Sequence, residues 1–282
     1  MIDGRLADEF MTLHAFDEAI ALQWQGDGAT GHWLGRTSAP YGNFVGPFGG
    51  ISAAQLLNAV LLHPQRLGDP ASLTVNFCAA VADGEFSIHA RPARTNRSTQ
   101  HWLIEMKQGG ETVLTATAVT AVRRSTLGLS EATMPNVRPP EEAGAQQRFA
   151  PMEWVKRYDT RFVKGAFPPV LDDGDAGTSL TQVWLRDALA RPLDFASLAA
   201  IADAFFPRLF LRRARFVPVG TVSMTIYFHA LAAQLVEVGS GFILGQAQGQ
   251  HFQNGFFDQT AQLWSQSGNM LVTTHQIVYF KE

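Results

Sequence analysis

The sequence predicts an α+β protein built twice over, each half an apolar helix followed by an antiparallel meander of strands. Three observations carry that expectation. Short markers recur in the same order: Trp33-Leu34 returns as Trp184-Leu185, and Phe77-Cys78-Ala79 as Phe228-His229-Ala230, both 151 residues later. Each half holds one small-residue, apolar helical stretch. Each then runs into long Val-, Thr- and Phe-rich segments, often alternating and separated by turn pairs.

In the first half an extended segment carries Trp33-Leu34, and a helix is expected over Gly49 to Leu62. Strands follow over Ser72 to Ala80, Glu85 to Ala93, Gln100 to Lys107 and Thr112 to Arg123. Asp83-Gly84 and Gly109-Gly110 mark turns between them. From Arg124 to about Ala150 the chain is rich in proline and glutamate, with Pro135, Pro139, Pro140, Glu141 and Glu142, and reads as a linker. Met152, Trp154, Val155 and Tyr158 announce a return to packed structure.

The second half is expected to have a helix from about Phe195 to Leu209. Its strands span Thr221 to Ala230, Gln234 to Val238, Phe242 to Gln250, Phe256 to Ser265 and Met270 to Phe280. A further pair of markers, Gln108-Gly109-Gly110 and Gln266-Ser267-Gly268, lies at an offset of 158. Two copies point to a duplicated fold, since a solenoid needs three or more repeats to bury its core. The division expected is residues 1–124, a linker over 125–150, and residues 151–282.

Bulk properties narrow the function. Of 282 residues 46% are hydrophobic and only 17% charged, which predicts extensive burial, a subunit interface included. A net charge of -3 gives no electrostatic case for nucleic acid. A single cysteine, Cys78, excludes an internal disulfide and is expected to be packed in a strand. Met1 to Phe10 carries three acidic residues and no apolar core of signal length, and no run is apolar enough to span a bilayer. A cytoplasmic protein with no membrane association is expected.

A helix wrapped by a curved antiparallel sheet, present twice, resembles the double hotdog, and details narrow the resemblance to the acyl-CoA thioesterase II (TesB-like) family. Phe48-Gly49-Gly50 opens the first helix, and Arg97-Ser98 precedes the strand at Gln100, much as in that family. In the second half, Ala202-Asp203 in the helix, Thr221 seven residues before Phe228-His229, and Gln276 in the last strand resemble the family's catalytic Asp, Thr and Gln. The resemblance covers nearly the whole chain outside the linker and about the first 20 residues. This chain departs from it at Val222-Ser223, where the family often has an aspartate, and at the bulky Ile277, Val278 and Tyr279.

The resemblance implies hydrolysis of acyl-CoA to free acid and CoA, with no cofactor beyond the CoA of the substrate and a possible homodimer. Such chemistry needs a water aimed at the carbonyl and a donor for the developing oxyanion. Asp203 can take a proton from that water, while Thr221 and Gln276 hold the water or the carbonyl oxygen. No covalent intermediate is required, because thiolate is a good leaving group. Gly49 and Gly50, at a helix start, would offer backbone N–H groups to a carbonyl oxygen or phosphate, or serve only close packing. By the offsets 151 and 158, Asp203, Thr221 and Gln276 face Ser52, Pro70 and Ala118, so the first half lacks all three candidates.

Other residues read more plainly. His229 and His275 have no Ser or Cys beside them in a nucleophile setting. Arg94, Arg97, Arg212, Arg213 and Arg215 suit surface solvation, or else CoA phosphates. Phe205, Phe206, Phe210 and Trp264 are either core or an acyl tunnel. The sequence has no G-x-S-x-G, no H-E-x-x-H or paired-Cys spacing, and no G-x-G-x-x-G joining a strand to a helix. No metal site is expected. Two other functions stay open: a non-catalytic acyl-CoA-binding protein, and an enoyl-CoA hydratase on the same fold, although the stretch after Asp203 lacks the histidine that hydration requires.

Overall fold

A computed structural model describes residues 14–26, 31–144 and 152–282. Met1 to Phe10, the end of the linker and Pro151 lie outside the described residues. The first half contains α1 (Ala15–Ala19), β1 (Gln23–Trp24), β2 (Gly31–Arg36), α2 (Gly49–Leu61), β3 (Asp69–Phe77), β4 (Glu85–Thr95), β5 (Thr99–Gln108) and β6 (Glu111–Ala121). The second contains β7 (Tyr158–Lys164), β8 (Thr181–Asp187), α3 (Phe195–Ile201), α4 (Leu209–Arg212) and β9 (Val219–Phe228). It continues with α5 (Ala232–Val238), β10 (Ile243–Gln248), β11 (Phe252–Gln253), β12 (Phe256–Ser265) and β13 (Met270–Phe280).

All strands join one antiparallel sheet in the order β1-β2-β4-β5-β6-β3-β9-β13-β12-β10-β8-β7, with β11 on β12. Read outward from its centre the order is the same on both sides, β3 answering β9 and β6 answering β13. At that centre Thr74 faces Thr225, 151 residues apart, with their hydroxyls at 3.0 Å. Ser72 faces Tyr227 and Asn76 faces Ser223, so each residue's partner is the counterpart of its symmetry mate. This self-complementary register makes the junction a pseudo-twofold axis.

The offset of 158 also survives in space. Leu73 pairs with Ala118, and its counterpart Met224 pairs with Gln276. An extra residue bulges β3 between Pro70 and Ser72, and β9 bulges at the matching place between Thr221 and Ser223. Where both strands leave the ladder, Cys78 and Ala79 share the Val113 carbonyl, and His229 and Ala230 share that of Leu271. Cys78 therefore lies just past β3 and is exposed, not packed in a strand as expected.

Helices α2 and α3 pack on the inner face, where one continuous apolar cluster runs through both halves. The helix of the second half is shorter than expected. A capping box from Asp194 and Ser197 starts α3, and the chain turns out of the helix after Ile201. Asp203 thus stands in the turn beyond the helix, and Leu209 belongs to the separate α4. Because α3 starts 146 residues after α2, not 151, the correspondence of Asp203 with Ser52 does not hold. The stretch Gln234 to Val238, read as a strand, is the body of α5: Gln234 Oε1 accepts from the Leu231 N–H, and Gly239 ends the turn.

The proline-rich segment is not a loose tether. Met134, Val137 and Ala143 pack against Trp184, Phe242 and Leu244, and Trp184 Nε1 donates to the Arg138 carbonyl at 2.9 Å. Phe205, Phe210 and Trp264 are buried and Phe206 is partly so, all as packed side chains.

Candidate active site

The polar trio and the first helix start meet where the two halves join. The α2 start has Phe48 at its N-cap, with no side chain accepting from the exposed N–H groups of the first turn. The turn after α3 brings a carboxylate to it: the Gly50 N–H faces Asp203 closely enough to lower its pKa. Only glycine permits this approach. A Cβ on Gly49 would stand 2.7 Å from Asp203 Oδ2, and one on Gly50 would stand 2.4 Å from the Ala200 carbonyl oxygen. Asp203 therefore sits against the start of a helix of the other half, in the field of that helix's positive end.

Gln276 reaches the same carboxylate from β13. It is buried, and its Nε2 donates to Asp203 Oδ1 at 2.7 Å and approaches Met224 Sδ at 3.3 Å. Thr221 Oγ1 donates to Gln276 Oε1 at 3.4 Å, at the long limit of a hydrogen bond. The bulge after Thr221 sets this register. All three sequence candidates, with Gly49 and Gly50, are thus drawn to one place. Gly50, one of two expected oxyanion donors, turns its N–H toward Asp203. Gly49 heads the first turn, where an N–H has no intrahelical acceptor.

The electrostatics favour a proton on Asp203 near neutrality. Burial is the largest influence and raises its pKa, while the hydrogen bonds from Gln276 and the Gly50 N–H oppose it; the balance is pushed up to about 7. A carboxyl poised there suits a general base working at neutral pH.

The matching positions of the first half hold Pro70 and Ala118, with no comparable polar group. His275 lies on the exposed outer face, its Nε2 3.2 Å from Asp258 Oδ2. His229 Nε2 pairs with Thr273 Oγ1, and burial with the nearby Arg123 lowers its pKa. Arg212 and Arg213 are tied to Asp175 and Asp173. Two polar residues beside the site were missed by sequence reasoning: Gln259, in register with Gln276, and Arg208, which donates to Gln259 Oε1 at 3.1 Å. The signal for Gln259 lay in strand register, which the short repeat markers did not supply.

Among the described residues no group of His, Cys, Asp and Glu could hold a metal ion, and no helix is long and apolar enough to cross a membrane.

Comparison with known proteins agrees with this architecture. The profile of the acyl-CoA thioesterase N-terminal domain matches residues 37–121, and that of the C-terminal domain matches residues 131–280. The chain is similar to a conserved hot dog fold protein of unknown function from Alicyclobacillus acidocaldarius, at 44% identity over 96% of this chain and 99% of that one, with a TM-score of 0.90. At 15% identity it shares its fold with the acyl-CoA thioesterase II TesB2 of Mycobacterium marinum, over 94% and 98% of the two chains, TM-score 0.73. The tesB protein of Mycobacterium avium subs paratuberculosis is similar at 15% over 96% and 100%, TM-score 0.76. Among curated proteins none matches. With both domain profiles matched in order along one duplicated sheet, the chain belongs to the acyl-CoA thioesterase family and is a thioester hydrolase of double-hotdog fold.

Proposed function

We propose that the protein hydrolyses acyl-CoA to free acid and CoA with one water activated by Asp203, Thr221 and Gln276, and with no covalent intermediate. The observation that carries this reading is the half-buried Asp203 carboxylate, held by the Gln276 amide and faced by the Gly50 N–H where the two halves meet.

In the ionised state Asp203 takes a proton from the water as its oxygen bonds to the thioester carbonyl carbon. The carbonyl electrons move to the oxygen, and the first turn of α2, at Gly49, offers an N–H donor there. Collapse of the tetrahedral species breaks the carbon–sulfur bond and leaves the electron pair on sulfur. The proton held by Asp203 returns to the thiolate, which restores the base. Thr221 and Gln276 fix the line of attack. No cofactor takes part, and CoA enters only with the substrate. In the same reading residues 1–124 form the degenerate half and residues 151–282 the catalytic half. The protein works in the cytoplasm, as a homodimer that covers strand edges such as β7.

The test is thiol release from a panel of acyl-CoAs of varied length by the wild type and Asp203→Asn. A loss of roughly 100-fold or more in the variant is expected. Binding of acyl-CoA with no thiol released from any member would refute hydrolysis, and activity surviving in Asp203→Asn would remove Asp203 as the base.

A further inference from the structure

Arg208 follows Asp203 by five residues and is fully buried, at 0% exposure. Every acceptor it meets among the described residues is neutral. Its Nε and Nη2 donate to the Phe206 carbonyl, its Nη1 to the Ser179 carbonyl and Thr181 Oγ1, and its Nε also to Gln259 Oε1. A buried cation with no carboxylate is expensive, and burial alone presses its pKa down to about 9. Such a cost calls for a use.

Gln259 supplies one. It is 2% exposed and lies directly across from Gln276 in the β12–β13 ladder, so both amides project from the same inner face. Among the described residues its Nε2 donates to nothing. The first half holds Trp102 and Ala118 in the corresponding cross-strand pair, so the duplication has replaced both members together.

An amide can be turned end for end, but a guanidinium only donates. Arg208 therefore holds Gln259 with its oxygen toward the arginine and leaves its NH2 group free on the face it shares with Gln276. We propose that Arg208 and Gln259 are positioning residues that set the polarity of the Gln276 amide. Gln259 Nε2 offers a donor to Gln276 Oε1, which otherwise has only the long bond from Thr221. A bond closed there commits Gln276 to presenting Nε2 to Asp203, the orientation it has at 2.7 Å. The reversed amide would set an oxygen against the carboxylate and favour its protonated form. A chain of donors closed in this way keeps the base in the form that can accept a proton.

This inference rests on Asp203 as the general base. The groups facing Asp203 are Gln276 from β13, the Gly50 N–H from α2, and Tyr158 from β7, whose own pKa burial raises well above its ordinary value. Only Asp203 among these can titrate near neutrality.

The test is the pH profile of kcat/KM for thiol release from one acyl-CoA that the wild type cleaves. Gln259→Met keeps the volume and removes the donor, and should move the acid limb up by about one pH unit, with a plateau within about threefold of wild type. Arg208→Gln keeps hydrogen bonding but loses the donor-only character, and should shift the limb the same way. Arg208→Lys, again only a donor, should return it to the wild-type position. The two shifting variants are independent, so failure of one to fold leaves the other decisive. A limb unmoved while the plateau falls would show a merely structural role and overturn the proposal. Absence of any wild-type activity would instead overturn the hydrolase reading beneath it.

Discussion

Replacing Asp203 by asparagine should stabilise the protein in a pH-dependent way while abolishing its chemistry. Burial raises the folded-state pKa of Asp203 from 3.8 to about 7. Between those values the folded protein holds a proton that the unfolded chain has released. Stability is therefore fully present below pH of about 4 and is lost as pH rises through about 7. The shift of about 3 units corresponds to roughly 4 kcal/mol at alkaline pH, of which about 3 kcal/mol develops between pH 5 and 8. Asparagine carries no such charge.

It does bring a cost. One end of its amide is a donor, while Gln276 Nε2 donates to the carboxylate and the Gly50 N–H faces it, so about 1 kcal/mol is lost relative to the ionised acid. The informative quantity is thus the slope. Urea or thermal unfolding of both proteins should show the difference in favour of Asp203→Asn growing by about 3 kcal/mol from pH 5 to pH 8, or roughly 5–10 °C in Tm. A difference that stays constant over this range would refute the raised pKa and with it the account of the site.

Three further outcomes follow from the geometry. Gly49→Ala puts a Cβ 2.7 Å from Asp203 Oδ2, so kcat should fall about tenfold or more while Tm changes little. Gly50→Ala meets the Ala200 backbone oxygen at 2.4 Å, and unfolding should show a loss of about 1–3 kcal/mol together with lost activity, since neither backbone can yield cheaply. Gln276→Met removes the 2.7 Å bond that favours the carboxylate, so kcat/KM should drop about 10- to 100-fold and its acid limb should rise. Each is read by steady-state thiol release alongside circular dichroism.

Much of this was legible in the sequence where side chains report the local period. The bounds of β12 and β13 match the expected Phe256 to Ser265 and Met270 to Phe280, because alternation and the flanking turns are strong there. The offsets of 151 and 158 reappear as ladder register, so Thr221 and Gln276 were correctly matched with Pro70 and Ala118. Short apolar stretches were less informative. Gln234 to Val238 contains β-branched residues that suit a strand, yet a local side-chain cap makes it α5. The early end of α3, which frees Asp203 from the helix, depends on how the turn packs against α2 of the other half. The approach of Gly50 to Asp203 and the Arg208–Gln259 pair join residues far apart in sequence, and no local pattern encodes them.

The most direct test of the central claim, direct attack by a water that Asp203 activates, is one turnover in 18O water with enzyme in excess over acyl-CoA. Mass spectrometry of product and of the Asp203 peptide then reports where the oxygen went. The account predicts one 18O in the released acid and none in the protein. Label in the Asp203 carboxylate, with unlabelled acid from the first turnover, would show that Asp203 attacks the thioester itself and would contradict it.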